Sequence, residues 1–137
     1  MVEPVTLREM EFSSVPENIN LIEVLVEELK IELNLSEEAE ANILVSLSEA
    51  VNNAIYHGNR CDPEKIVRIS VEKLETELIF TIEDQGAGFN FTTVRDPTAI
   101  KNLDQPTGRG IFLMRNLADK VEYFYEGRKV MITFLAI

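Results

Sequence analysis

The feature that most restricts how this chain can fold is the stretch from residue 36 to residue 59. Ile43, Leu44, Leu47, Ala50, Val51, Ala54 and Ile55 recur at three- and four-residue spacing, the period of a helix with one buried face. Ser36 stands where an N-cap belongs, and Glu37 and Glu38 suit the positive end of the helix dipole. Gly58-Asn59 reads as the helix end. Glu49, Asn53 and His57 are four apart and fall on a neighbouring stripe. A carboxylate and an amide one turn apart, beside a buried face, can point at a single ligand. Alone, such a stripe is more often a solvated helix face.

The remaining elements give this helix something to pack on. Residues 5 to 12 roughly alternate and predict a strand. Ser14-Val15-Pro16-Glu17 has the form of a capping box, opening a helix that carries Leu21, Ile22, Leu25, Val26 and Leu29 and ends near Leu33 or Asn34. Beyond a break at Cys61-Asp62-Pro63, Val67, Ile69 and Val71 alternate with polar residues, as do Leu78, Phe80 and Ile82. The short connection at Glu75-Thr76-Glu77 makes these an antiparallel hairpin. Asp84 keeps the parity of Leu78, Phe80 and Ile82, so its carboxylate points to the helix side. Residues 110 to 118 read as a short helix, and residues 120 to 126 and 129 to 136 as a closing hairpin turned at Gly127-Arg128. The expected fold is α+β: a two-layer sandwich with three main helices on one face of a mixed, mostly antiparallel sheet, in one domain over residues 1 to 137.

Charge narrows the choice of partners. The net charge of -11 argues against nucleic acid, which needs a basic face. Residues 1 to 60 hold 12 acids against three bases, leaving the other 12 acids against 10 bases in the remainder. Glu23, Glu27, Glu28 and Glu32 cluster on the first predicted helix, either as a solvated face or as a surface for a basic protein. No apolar run is long enough to span a membrane, and the first residues lack the pattern of a signal peptide. A lone cysteine, Cys61, precludes an internal disulfide and favours a cytoplasmic setting.

Three further features sit where a nucleotide site would need them. Asp84-Gln85-Gly86-Ala87-Gly88 follows a strand directly, and its glycines would let backbone approach a ligand. An ionised, buried Asp84 is acceptor-only and would take the exocyclic amine of adenine but oppose the carbonyl of guanine. Alone, the run is also what an ordinary turn looks like. Gly108-Arg109-Gly110 precedes the third helix, where free backbone N–H groups bind anions. Between the glycine clusters lies a loop of about residues 89 to 107, placed to act as a lid.

Taken together, these motifs resemble the ATP-binding domain shared by gyrase, a heat-shock chaperone, histidine kinases and mismatch-repair ATPases. Within that superfamily the chain is most similar to the small anti-sigma factor serine/threonine kinases of bacteria. Glu49-Ala50-Val51-Asn52-Asn53-Ala54 and Asp84-Gln85-Gly86-Ala87-Gly88-Phe89 carry the likeness. The resemblance implies ATP and Mg²⁺ as cofactors. It implies Glu49 as general base toward an attacking serine hydroxyl, and Asn53 as the Mg²⁺ ligand. Asp84 would read the adenine amine, with Gly86 and Gly88 bordering the base. Gly108, Arg109 and Gly110 would lie by the phosphates, and Thr133 would be a water-mediated adenine partner.

The implied partners are an anti-sigma-factor antagonist as substrate and a sigma factor or similar regulator as target, with a homodimer through an exposed sheet edge. One departure stands out. The bacillus-type kinases carry a lid arginine just upstream of their second glycine motif, where this chain has Gln105-Pro106-Thr107, and Arg109 is the nearest substitute. That departure suits an alternative, a nucleotide-gated protein-binding module with little kinase activity. His57 is expected to close the helix or line the pocket, and Met10, Met114 and Met131 to fill the core.

Overall fold

The computed structural model of the chain describes residues 2–86, 114–135 and 137. Strand β1 (Val5–Ser13) leads through a 3₁₀ turn into helix α1 (Asn20–Leu33), followed by α2 (Glu37–Asn52). A π-helical turn (Asn53–Gly58) extends α2, and strands β2 (Ile66–Leu74) and β3 (Glu77–Glu83) follow. Residues 114–117 are helical, and β4 (Lys120–Phe124) and β5 (Lys129–Phe134) complete the described chain. Gly88, the segment 89–107 and the Gly108-Arg109-Gly110 run lie outside the described residues. No helix among the described residues is long and apolar enough to cross a membrane.

The sheet order is β1-β2-β3-β5-β4, and every pairing in it is antiparallel. The expected mixed sheet is therefore corrected to a uniformly antiparallel one. The reason is the place of β5. Strands β3 and β4 run in the same direction, but β5 lies between them and opposes both.

One sheet face is built from Val67, Ile69, Val71, Leu78, Phe80, Ile82, Val130, Ile132 and Phe134, all buried. Against it pack Ile22, Leu25, Val26 and Leu29 of α1, and Ile43, Leu47, Ala50 and Val51 of α2. Burying each larger side chain contributes roughly 1.5–3 kcal/mol, so this layer contact dominates the stability. Helix α1 stops because Asn34 adopts a left-handed conformation (φ 53°) and its N–H donates back to the Lys30 carbonyl. Ser36 caps α2 as expected, its hydroxyl accepting from Ala39 N at 3.1 Å.

Two local readings need correction, at Ser14 and at Met131. Ser14 is not a cap: Val15 holds that place with no side-chain bond, and the Ser14 hydroxyl donates to the Lys65 carbonyl at 2.8 Å. Strand β1 carries a bulge between Thr6 and Arg8, and Arg8 shares the helix-facing side with Met10 and Phe12, as the alternation predicts. From there Arg8 meets Glu32 at 2.8 Å and Glu28 at 3.7 Å, so two of the four clustered α1 carboxylates have an internal partner. Met114 is buried in the core and Met10 packs against it, but Met131 pairs with Thr81 and Glu122 on the opposite face.

Candidate functional site

The site begins where α2 changes its winding. Beyond Asn52 the hydrogen-bonded ring widens, and Asn59 N donates to Ala54 O at 2.8 Å, five residues back. The wider turn rotates later residues away from the four-residue stripe. Asn53, at the junction, stays buried and lines a pocket, whereas His57 is not among the lining residues. Burial and the neighbouring Arg60 lower the His57 pKa, which favours the neutral imidazole. Glu49 lies one α-turn before Asn53, half-buried, with its pKa raised by that burial.

Asp84 reaches the same pocket from the end of β3. Its N–H donates to Arg128 O at 2.9 Å, which ties the strand end to the β4–β5 turn. Its Oδ1 accepts from Gly86 N at 2.8 Å, closing a small turn. Burial pushes the Asp84 carboxyl up to about 6, and the Gly86 N–H and the Arg128 charge work against that rise.

Two residues that the sequence reading treated only as a helix end hold this turn in place. Asn59, buried, accepts from Gln85 N at 2.7 Å and donates to Ser14 Oγ at 2.7 Å and to Ile66 O at 2.9 Å. One amide thus joins the segment after β1, the start of β2 and the segment after β3. Gly58 lies under the Asp84 carboxylate: a Cβ on it would stand 2.4 Å from Asp84 Cγ. Gly86 is in turn pressed on Gly58, where a Cβ would stand 1.8 Å from the Gly58 carbonyl oxygen. The glycine in the Asp84 motif is therefore required first by backbone packing against the π turn. A Gly-Asn pair after a helix is a common stop signal, and nothing local to it reveals the distant partners.

Asn53 and Asp84 come together on the pocket wall with Ala50, Ala54 and Met114. Ile82, Val130 and Tyr123 form its sheet side, and Gly127 and Arg128 its rim at the turn. Asn53 Nδ2 is buried without a hydrogen-bond partner. A buried amide left unpaired costs about 1–3 kcal/mol, and such an end facing a pocket fits a ligand. A half-turn of the side chain presents its oxygen instead.

Thr133 is not part of this wall. It pairs with Ile79 and Lys120 on the sheet face away from the helices, and the β5 residue turned to the pocket is Val130, paired with Ile82. The water-mediated base contact expected of Thr133 is thus corrected on strand parity. Gly88, Gly108, Arg109 and Gly110 lie outside the described residues.

The raised Asp84 pKa has a measurable sign. The unfolded carboxyl titrates near 3.8 and the folded one at about 6, so between these values the folded state binds more protons. Stability from this group is expected to rise as pH falls from 7 to 5, by on the order of 1 kcal/mol. Urea unfolding at both pH values, with Asp84→Asn as reference, isolates that share. An equal pH response in the two proteins would assign the effect to other groups.

The profile of the histidine kinase-like ATPase domain matches residues 12–134, and the chain belongs to that family. An anti-sigma F factor of Clostridium perfringens is 34% identical over 123 residues, spanning 88% of this chain and 87% of that protein. An anti-sigma F factor of Bacillus cytotoxicus is 37% identical over 116 residues, spanning 82% and 79% of the two chains. Among solved structures, the RsbU and RsbW domains of Rv1364c from Mycobacterium tuberculosis superpose with a TM-score of 0.60 at 13% identity, covering 96% of this chain and 31% of that one. That likeness concerns the fold.

Proposed function

We propose that this protein is an ATP-dependent anti-sigma regulatory factor. It phosphorylates a serine or threonine of an anti-sigma-factor antagonist and binds a sigma factor or a similar regulator, in the cytoplasm. The observation that carries the reading is one pocket lined by both Asn53 and Asp84, with Glu49 a single helical turn away. The similarity to anti-sigma F factors over most of the chain supports the regulatory part.

The roles follow from side-chain chemistry. Asp84, ionised above about pH 6, accepts the exocyclic amine of adenine through an oxygen that the Gly86 bond leaves available. Among the described residues no three His, Cys, Asp or Glu side chains gather as a metal cage. The fitting ion is accordingly one held by the Asn53 amide oxygen together with water and phosphate oxygens, as Mg²⁺ is. ATP with Mg²⁺ supplies the transferable phosphoryl group and neutralises its charge. Glu49, its pKa raised by partial burial, is a stronger proton acceptor than a fully solvated carboxylate. It would hold the hydroxyl proton of the incoming serine. By the family resemblance, Gly88 would border the base, and Gly108, Arg109 and Gly110 would lie by the phosphates.

Glu49→Ala is expected to lower phosphotransfer at least about 100-fold, with ATP affinity changed only a few-fold. Labelled ATP and a panel of bacterial anti-sigma-factor antagonists would measure the first, and calorimetric titration the second. Undiminished transfer would remove Glu49 from the base role. A second reading, a nucleotide-gated binding module, is favoured by Gln105-Pro106-Thr107 standing where the bacillus-type kinases carry arginine. It predicts no transfer to any antagonist while ATP still changes partner affinity. Strands β1 and β4 are the sheet edges through which a homodimer would form.

A further inference from the structure

The pocket carries a pair of opposite charges on neighbouring strands. Ile82 pairs with Val130 and Glu83 with Lys129, and the bond from Asp84 N to Arg128 O at 2.9 Å carries that ladder one pair further. Asp84 and Arg128 are thus cross-strand neighbours on the sheet face of Ile82 and Val130, and all four line the pocket. The Arg128 charge is near enough to act on the Asp84 carboxylate, yet among the described residues no ion pair joins the two.

Arg128 is exposed at the rim. Its Nε–H donates to the Tyr125 carbonyl at 3.2 Å, and no hydrogen bond among the described residues uses the N–H groups of Nη1 and Nη2. The turn that presents it is a built one. Tyr125, Glu126 and Gly127 follow one another at φ 52°, 57° and 91°, a backbone that the first two side chains rarely adopt.

Resting on the nucleotide reading above, we infer that Arg128 is a specificity-determining residue. Its guanidinium donates to the ring nitrogen N1, next to the amine that Asp84 receives. Adenine presents a donor at its exocyclic amine and an acceptor at N1, whereas guanine in the same pose presents an acceptor and a donor. A carboxylate beside a guanidinium is complementary to the first pattern and opposed to the second at both positions. The absence of a direct ion pair leaves room for the base edge to enter between the two charges.

The test is calorimetric titration of wild type and Arg128→Met with ATP and with 1-deaza-ATP, in which N1 is replaced by C–H. Methionine removes the donors and the charge together. A titration at about pH 8 keeps Asp84 ionised in both proteins. The backbone N–H of residue 128, which also donates to the Tyr125 carbonyl at 3.2 Å, keeps the turn closed in the variant.

Wild type is expected to prefer ATP by about tenfold, the loss that one hydrogen bond to a charged group typically brings. Arg128→Met is expected to bind the two nucleotides alike, since only ATP has the lost bond to give up. A charge that merely attracts the phosphates would be missed equally by both nucleotides, so equal weakening, with the preference intact, would overturn the inference. So would a wild type that binds the two nucleotides alike. If wild type binds neither, the nucleotide reading itself falls, and this inference with it.

Discussion

Gly86→Ala is expected to destabilise the protein by on the order of 3 kcal/mol or more, at or beyond the upper end of the range for overpacking. The new Cβ would lie 1.8 Å from the Gly58 carbonyl oxygen, 2.4 Å from its carbon and 2.9 Å from its Cα. All three atoms are main chain, so no rotamer change relieves the overlap. Either the turn after β3 or the π turn after α2 must move, and movement strains the bond from Gln85 N to Asn59 Oδ1 at 2.7 Å.

Gly58→Ala makes the instructive comparison. Its Cβ meets Asp84 side-chain atoms at 2.4–2.7 Å, and a carboxylate can turn away. That variant should keep more of its stability while weakening nucleotide binding disproportionately. Urea unfolding and ATP titration of both variants separate the two effects. Near wild-type stability in Gly86→Ala would mean that the two turns are not packed as described.

Asp84→Asn is expected to act in opposite directions on binding and on stability. Adenine-nucleotide affinity should fall by about 100-fold or more, because a charged acceptor is replaced by a neutral amide. At pH 7 the fold should gain on the order of 1–3 kcal/mol, since burial holds the ionised carboxyl at a pKa of about 6 against 3.8 unfolded. The amide oxygen can still accept from Gly86 N, so the turn need not open. Calorimetry with ATP and GTP, beside thermal unfolding of the free protein, reads both signs. A residue of merely structural importance would lose stability and binding together. Unchanged ATP affinity would remove Asp84 from the site.

Much of this is legible in the sequence because the buried faces keep strict periods. Ile22, Leu25, Val26 and Leu29 define the inner face of α1, and the alternation through Leu78, Phe80 and Ile82 carries Asp84 to the helix side. The same alternation in β5, with Val130, Ile132 and Phe134 set against Met131 and Thr133, already excludes Thr133 from the pocket. Its expected role came from family resemblance rather than from parity, and the parity prevails. Other features have no local signature. The π turn leaves the apolar pattern of Ala54 and Ile55 intact while rotating His57 away. The bonds of Asn59 reach Ser14, Ile66 and Gln85, and no window around residue 59 contains all three. Ser14 has the composition of a cap, but the distant Lys65 carbonyl and the Asn59 amide outcompete the helix end for its hydroxyl.

The place of β5 has a consequence for how the protein comes into being. Of the five described strands, β5 is synthesised last, and it fills the gap between β3 and β4 and turns Val130 to the pocket. While the chain is still emerging from a ribosome, β3 has one uncovered edge and the pocket lacks part of its floor. A nucleotide held in this pocket would then stabilise only molecules in which β5 is already paired.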